Sequence, residues 1–251
     1  RTDVVRTTRE NAILSFVREE RLLQPRLGTR KLHALLQLDH HLHMGRDRLF
    51  DLLRAHRQLV PRKRAYHKTT QSHHRFRRHP NLLKAGPDQV VPSAPDRVWV
   101  ADITYLPTRQ GWAYLSLITD AFSRKIVGHH VHDTLHTNSV IQAMQKALKQ
   151  RRSPGELVHH SDRGIQYCST QYQQLHAKHR IRCSMTDGYD CYQNALAERV
   201  NGILKTEFLL SRPNDLAEAR QMVDQSVAIY NTRRPHLALK YKTPDAVHQA
   251  F

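Results

Sequence analysis

The period of the hydrophobic pattern changes partway along the chain. Over the first sixty residues apolar positions recur at three and four, in "TRENAILSFVREERLL" (8–23), "TRKLHALLQL" (29–38) and "RDRLFDLLRAH" (46–56). Three helices are predicted, with Thr29 as the N-cap of the second and Leu49, Leu52 and Leu53 on one face of the third. The last two are separated by a glycine-containing turn, which fits a helix-turn-helix unit. Arg46, Arg48 and Arg54 would then be available to DNA; a small helical bundle with solvated charges fits the same pattern.

From residue 97 the period shortens. "RVWVADITYLP" (97–107), "WAYLSLITDAF" (112–122) and "KIVGHHVHDT" (125–134) predict a meander of three strands. Helix "NSVIQAMQKALKQ" (138–150), strand "ELVHHSD" (156–162), helix "STQYQQLHAKH" (169–179) and strand "IRCSMT" (181–186) follow. Two helices, "YQNALAERVNGILKTEFL" (192–209) and "DLAEARQMVDQSVAIYN" (215–231), complete the series. This order predicts an α/β fold: a mixed five-stranded sheet flanked by helices, preceded by a small all-α region. "GPDQVVPSAPDRVW" (86–99) holds three prolines and reads as a linker, giving regions 1–60, 61–97 and 98–251.

Charge adds a partner to this picture. The chain of 251 residues has 40 Lys/Arg against 22 Asp/Glu, a formal net charge of +18. Residues 1–90 hold 20 of those bases and 8 of the acids, so the positive field is concentrated in the first third. Residues 62–79 carry seven bases and no acid: Arg62, Lys63, Arg64, Lys68, Arg75, Arg77 and Arg78, with Tyr66 and Phe76 interleaved. Such a segment repels itself until phosphates neutralise it, which favours tracking along a DNA backbone over a solvated linker. No apolar run approaches the ~20 residues of a membrane span, and no signal peptide is visible. Cys168, Cys183 and Cys191 form no Cys-x-x-Cys pair, so they read as reduced thiols of a cytoplasmic protein.

Acids within strands are informative because strands disfavour Asp. Asp102 interrupts "VWVADITYL" and Asp162 ends the fourth strand. On the following long helix Glu198, Asn201 and Lys205 fall within an arc of about 60°, opposite Leu196, Val200 and Ile203. Three carboxylates brought together repel unless a cation offsets them. All-oxygen ligands suit Mg²⁺ or Mn²⁺, and a pair of such ions clamps the attacking and leaving oxygens of a phosphodiester. An Asp is equally able to serve as a turn residue or salt-bridge partner.

The patterns W-x-x-D-I-T-Y (99–105), H-S-D-R-G-x-Q-Y (160–167) and N-A-x-A-E-R-x-N-G-x-L-K-x-E (194–207) resemble the catalytic core of bacterial insertion-sequence transposases, within the retroviral-integrase superfamily. The 35 residues between Asp162 and Glu198 match that family's spacing, and "YNTRRPHLALKYKTP" (230–244) resembles its C-terminal signature. "RLGTRKLHALL" resembles the helix-turn-helix segment ahead of the core in the second-frame product, and the likeness points to the copy-out and paste-in subgroup. The resemblance implies a ribonuclease H-like fold and Asp102, Asp162 and Glu198 as ligands for two Mg²⁺ ions, with Mn²⁺ as substitute. It also implies strand cleavage at a transposon end, then strand transfer by the freed 3′-hydroxyl. Double-stranded DNA, both terminal inverted repeats and target, would be the partner, with at least a homodimer on DNA in the nucleoid. In relatives, a further helix-turn-helix and a coiled coil precede the matched region.

Around the triad, Asn201 and Lys205 are expected to meet DNA, and His160 to orient a phosphate or make a structural hydrogen bond. Asp120 is a fourth acid with a turn role the better reading. Gln166 and Tyr167 are weaker substrate contacts; Arg233, Arg234 and His236 either bind phosphates or pack a C-terminal hairpin. The 19 histidines include adjacent pairs at 40/41, 73/74, 129/130 and 159/160, but structural zinc is not expected without the Cys-x-x-Cys pair. Part-protonated, they would add to the phosphate-binding charge. A non-catalytic DNA-binding regulator and a ribonuclease H-type nuclease are the competing functions.

Overall fold

The computed structural model describes residues 2–38, 42–61, 79–187 and 194–251. Helices α1 (Thr2–Leu23), α2 (Thr29–Leu38) and α3 (Arg46–Ala55) pack around their own core of Ile13, Val17, Leu32, Leu36, Leu49 and Leu53. The three-four spacing produces this bundle, since each helix has one apolar stripe to bury. The ladder of α2 begins from the Gly28 carbonyl, so Gly28 rather than Thr29 takes the cap position.

Strands β1 (Val98–Thr108), β2 (Gly111–Asp120) and β3 (Ile126–His132) form the expected meander. After α4 (Thr137–Gln150), β4 (Leu157–Ser161) pairs parallel with β1. The short α5 (Ile165–Cys168) and α6 (Thr170–Lys178) lead to β5 (Ile181–Met185), parallel with β4. The sheet order is β3-β2-β1-β4-β5, so β1 lies at the centre.

Alternation along β1 divides the core in two. Trp99, Ala101 and Ile103 face α4, α5 and α6, with Val140, Met144, Tyr167 and Tyr172. Val98, Val100 and Leu106 face the other side, covered by α7 (Ala195–Ile203) and α8 (Leu216–Thr232) through Ala197, Val200, Ile203, Val223 and Tyr230. The chain ends in α9 (Pro244–Gln249). Among the described residues no helix is long and apolar enough to cross a membrane.

Two elements differ from expectation. Residues 80–97, read as linker, pack on the sheet: Leu82 is buried against Val98, Val100 and Val158, and the Pro80 carbonyl accepts from the Met185 amide at 3.2 Å. The helix read over 192–209 is regular only to Ile203, then becomes a π-helical turn, Leu204–Phe208, closed by the Leu209 amide on the Leu204 carbonyl at 2.8 Å.

A candidate active site on the central strand

Asp102 belongs to the alternating set of β1 positions that face α7, opposite Leu117 of β2. An apolar residue there would simply extend the core. Its Oδ1 instead accepts from the Ile103 amide at 2.9 Å, and its Oδ2 from Asn201 Nδ2 on α7 at 2.8 Å. The parallel register pairs Val100 with His160, so two residues further on Asp162 is level with Asp102, just past the carboxyl end of β4. The Gly164 amide donates to Asp162 Oδ1 at 2.9 Å and fixes the turn that carries it. Gly164 is the position where a Cβ would stand 3.0 Å from that same oxygen.

The electrostatics follow from this placement. Burial pushes the Asp102 pKa up to about 7, reinforced by the charge of Asp162 and, more weakly, Glu198; the Asn201 and Ile103 hydrogen bonds oppose the rise. Burial lowers the Lys205 pKa, partly offset by Asp102. Glu198 is exposed in the first turn of α7. Among the described residues no three His, Cys, Asp or Glu side chains converge as a ready metal-ligand cluster. The structure therefore brings Asp102 and Asp162 into one field and leaves Glu198 at its edge. The donor set fits a hard divalent cation: carboxylate oxygens alone, with a half-buried acid whose ionisation a nearby positive charge would further favour.

Several expected DNA contacts are placed otherwise. Asn201 is buried and committed to Asp102, which orients that carboxylate instead of meeting DNA. His160 is fully buried, its Nδ1 sharing a hydrogen bond with Ser184 Oγ at 2.8 Å, so the structural alternative holds. Arg234 forks onto Glu207 at 2.8 and 2.9 Å and contacts His236 Nε2 at 3.0 Å; both are buried, so they pack the C-terminal segment rather than bind phosphate. Tyr167 lies in the core and Gln166 donates to the Leu135 carbonyl at 2.9 Å. Asp120 is buried and accepts four hydrogen bonds around its turn.

Three buried histidines do not add the expected charge. Burial holds His159 well below its ordinary pKa, and lowers His176 to about 3 and His236 to about 2. Arg46, Arg48 and Arg233 stay at the surface, where they meet Asp47, Glu10 and Glu20. Arg62, Lys63, Arg64, Arg75, Arg77 and Arg78 lie outside the described residues, as do Tyr66, Phe76, His40, His41, His73, His74 and Cys191.

Sequence reasoning gave no role to Asn194 and Glu207, the first and last residues of its longest pattern. Asn194 Nδ2 donates to the Ala101 carbonyl at 2.9 Å and pins the start of α7 to β1. Glu207 receives Arg234 and Lys31. Their place at the two ends of a quoted motif was the available signal.

The integrase core domain family matches residues 92–191, and a second integrase core model matches 179–244. The insertion element IS600 31 kDa protein of Shigella sonnei is 36% identical over 226 residues, 89% of this chain and 82% of that protein. The transposase for insertion sequence element IS629, also from Shigella sonnei, is 37% identical over 164 residues, 65% of this chain and 55% of its own length. The HTLV-2 integrase catalytic core domain, solved in complex with magnesium, superposes with a TM-score of 0.51 at 20% identity over 63% of this chain and 99% of that one. That likeness establishes the ribonuclease H-like fold of the integrase core. The chain belongs to the family of bacterial insertion-sequence transposases built on an integrase core, enzymes of the polynucleotidyl-transferase type.

Proposed function

We propose that this transposase cleaves one strand at a transposon end and joins the freed 3′-hydroxyl to target DNA, with Asp102, Asp162 and Glu198 as its acidic triad. In the first step a water oxygen attacks phosphorus and the 3′-oxygen leaves as the transposon-end hydroxyl. In the second, that hydroxyl attacks a target phosphodiester and displaces its 3′-oxygen. Each P–O bond formed replaces one broken, so no covalent bond to the protein is required. The observation that carries this reading is Asp102, half-buried on the central strand with a raised pKa and level with a second carboxylate.

Asp102 and Asp162 are the inner residues that would hold Mg²⁺, with Mn²⁺ as substitute and two ions per site; Glu198 would complete the set from α7. A bound divalent ion supplies neutralising charge to the phosphodiester and acidifies the attacking hydroxyl or water. The magnesium of the HTLV-2 integrase core supports the choice. Asn201 holds the Asp102 carboxylate in one orientation. Lys205, on the turn after α7, would meet a scissile-strand phosphate. Arg46, Arg48, Arg233 and the basic stretch 62–78 would track DNA backbone, with the α2–α3 pair as a helix-turn-helix. At least a dimer would assemble on paired ends, in the nucleoid, by the copy-out and paste-in route.

A joining assay tests this reading. Labelled end DNA is incubated with Mg²⁺ or Mn²⁺ and either the parent or Asp162→Asn. Nicked and joined products from the parent alone are expected. Equal products from both proteins would remove Asp162 from the triad, and DNA binding with no product from either would favour a regulator.

A further inference from the structure

Glu207 is a largely shielded acid for which the chemistry above has no use. It lies in the π-helical turn, and its side chain is 14% exposed. Arg234 Nε donates to Oε2 at 2.8 Å and Arg234 Nη2 to Oε1 at 2.9 Å. Lys31 Nζ reaches Oε2 at 3.2 Å from α2, in the N-terminal bundle. Burial works against the charge on Glu207, but Arg234 and Lys31 outweigh it and keep its pKa below the ordinary value. A second contact from the same bundle, Arg26 Nη1 to the Thr206 carbonyl at 3.5 Å, holds the same turn.

Residues two apart on a helical turn point to nearly opposite sides. Lys205 senses the Asp102 charge, while Glu207, two positions on, faces the bundle. The one turn therefore meets the N-terminal helices through Glu207 and runs on directly from α7, whose Asn201 donates to Asp102 at 2.8 Å. A π-helical turn shifts the rotation of everything beyond it, and such turns are frequent at functional sites. What holds the turn also sets where Lys205 and the end of α7 stand.

We infer that Glu207 is a positioning residue: gripped by Lys31 and Arg234, it couples docking of the N-terminal bundle to the placement of Lys205 and of α7, which carries Glu198 and Asn201. The inference rests on the transposase reading for its catalytic consequence, not for the coupling itself.

Lys31→Met is the test variant. It removes the arm from α2 but leaves the Arg234–Glu207 fork neutral, so little buried charge is left unmatched. Lys31→Arg restores a cation. Hydrogen exchange over residues 196–209 is followed in the full chain without DNA, together with DNA affinity and the single-turnover cleavage rate at saturating DNA. Lys31→Met should exchange faster over that segment, bind DNA within twofold of the parent and cleave about tenfold more slowly, with Lys31→Arg close to the parent. Unchanged exchange overturns the coupling whatever the activity. Weaker binding at an unchanged cleavage rate also overturns it, because the contact would then only orient the DNA-binding helices. Faster exchange in a protein whose parent yields no metal-dependent product upholds the coupling and rejects the transposase reading instead.

Discussion

Asp102 and Asp120 are both strand aspartates, the first half-buried and the second fully buried, and burial raises the pKa of both. Their surroundings differ. Asp120 accepts from the Asp96, Phe122 and Ser123 amides and from Ser123 Oγ, at 2.7 to 3.1 Å. It closes the turn after β2, where Arg124 takes a positive φ of 66°. Asp102 has two protein donors and a second aspartate beside it. A saturated acid organises backbone. An acid given fewer donors and a like-charged neighbour costs stability, and only a ligand can make use of it.

The largest effects should separate these roles. Asp120→Ala strands four donors in the interior, and chemical denaturation should register a loss of about 3–5 kcal/mol. Asp102→Asn keeps the shape and removes the disfavoured charge, so it should be at least as stable as the parent. Its cleavage rate should nonetheless fall on the order of 10²–10³-fold, as expected when one preorganised electrostatic element is removed. A stable Asp120→Ala protein, or an unstable Asp102→Asn protein, would collapse the distinction.

This contrast shows what the residue pattern could reveal. All five strands were legible as short apolar or β-rich runs between turns, β4 among them although it is buried at every position. Asp102 stood out because a polar residue broke such a run. Partners left no trace. Arg234 and His236 look basic and accessible in "YNTRRPHLALKYKTP", but Glu207, which meets Arg234, is 27 positions away. His160 reads the same whether it faces phosphate or Ser184. Extrapolating α7 at 100° per residue put Asn201 on the side that meets Asp102, but nothing in "GILKTEF" announces the change of hydrogen-bond register after Ile203. The segment before β1 reads as linker, whereas Leu82 and Val90 pack it against the sheet.

Smaller effects concern the charge itself. The folded-state pKa of Asp102 lies near 7, above the ordinary 3.8, so the folded protein binds this proton more tightly than the unfolded chain. This group's contribution to stability is therefore greatest below about pH 4, declines as pH rises to about 7, and is level above that. Comparing parent and Asp102→Asn across that window should expose a difference of about 2–4 kcal/mol in favour of the variant at pH 7.5. Mg²⁺ should narrow the gap. At ten times its Kd it should raise the parent's Tm by about 3–5 °C and leave Asp102→Asn unchanged. An equal shift in both proteins would place the ion elsewhere.

The smallest effects carry the same contrast to the arginines. Arg234 is buried with Glu207, whereas Arg46 and Arg48 are more than half exposed and pair with Asp47 and Glu10. Exposed pairs contribute about 0–1 kcal/mol, so Arg46→Ala and Arg48→Ala should leave the Tm near that of the parent. If they contact phosphates, each substitution should reduce the slope of log affinity against log salt by about 0.9. Arg234→Met should do the reverse: breaking a buried pair costs about 3–5 kcal/mol, with no change in salt slope for whatever protein remains folded. A salt slope that responds to Arg234 but not to Arg46 or Arg48 would move the DNA path away from α3 and onto the C-terminal segment. Burial would then have misled about which cations the nucleic acid reaches.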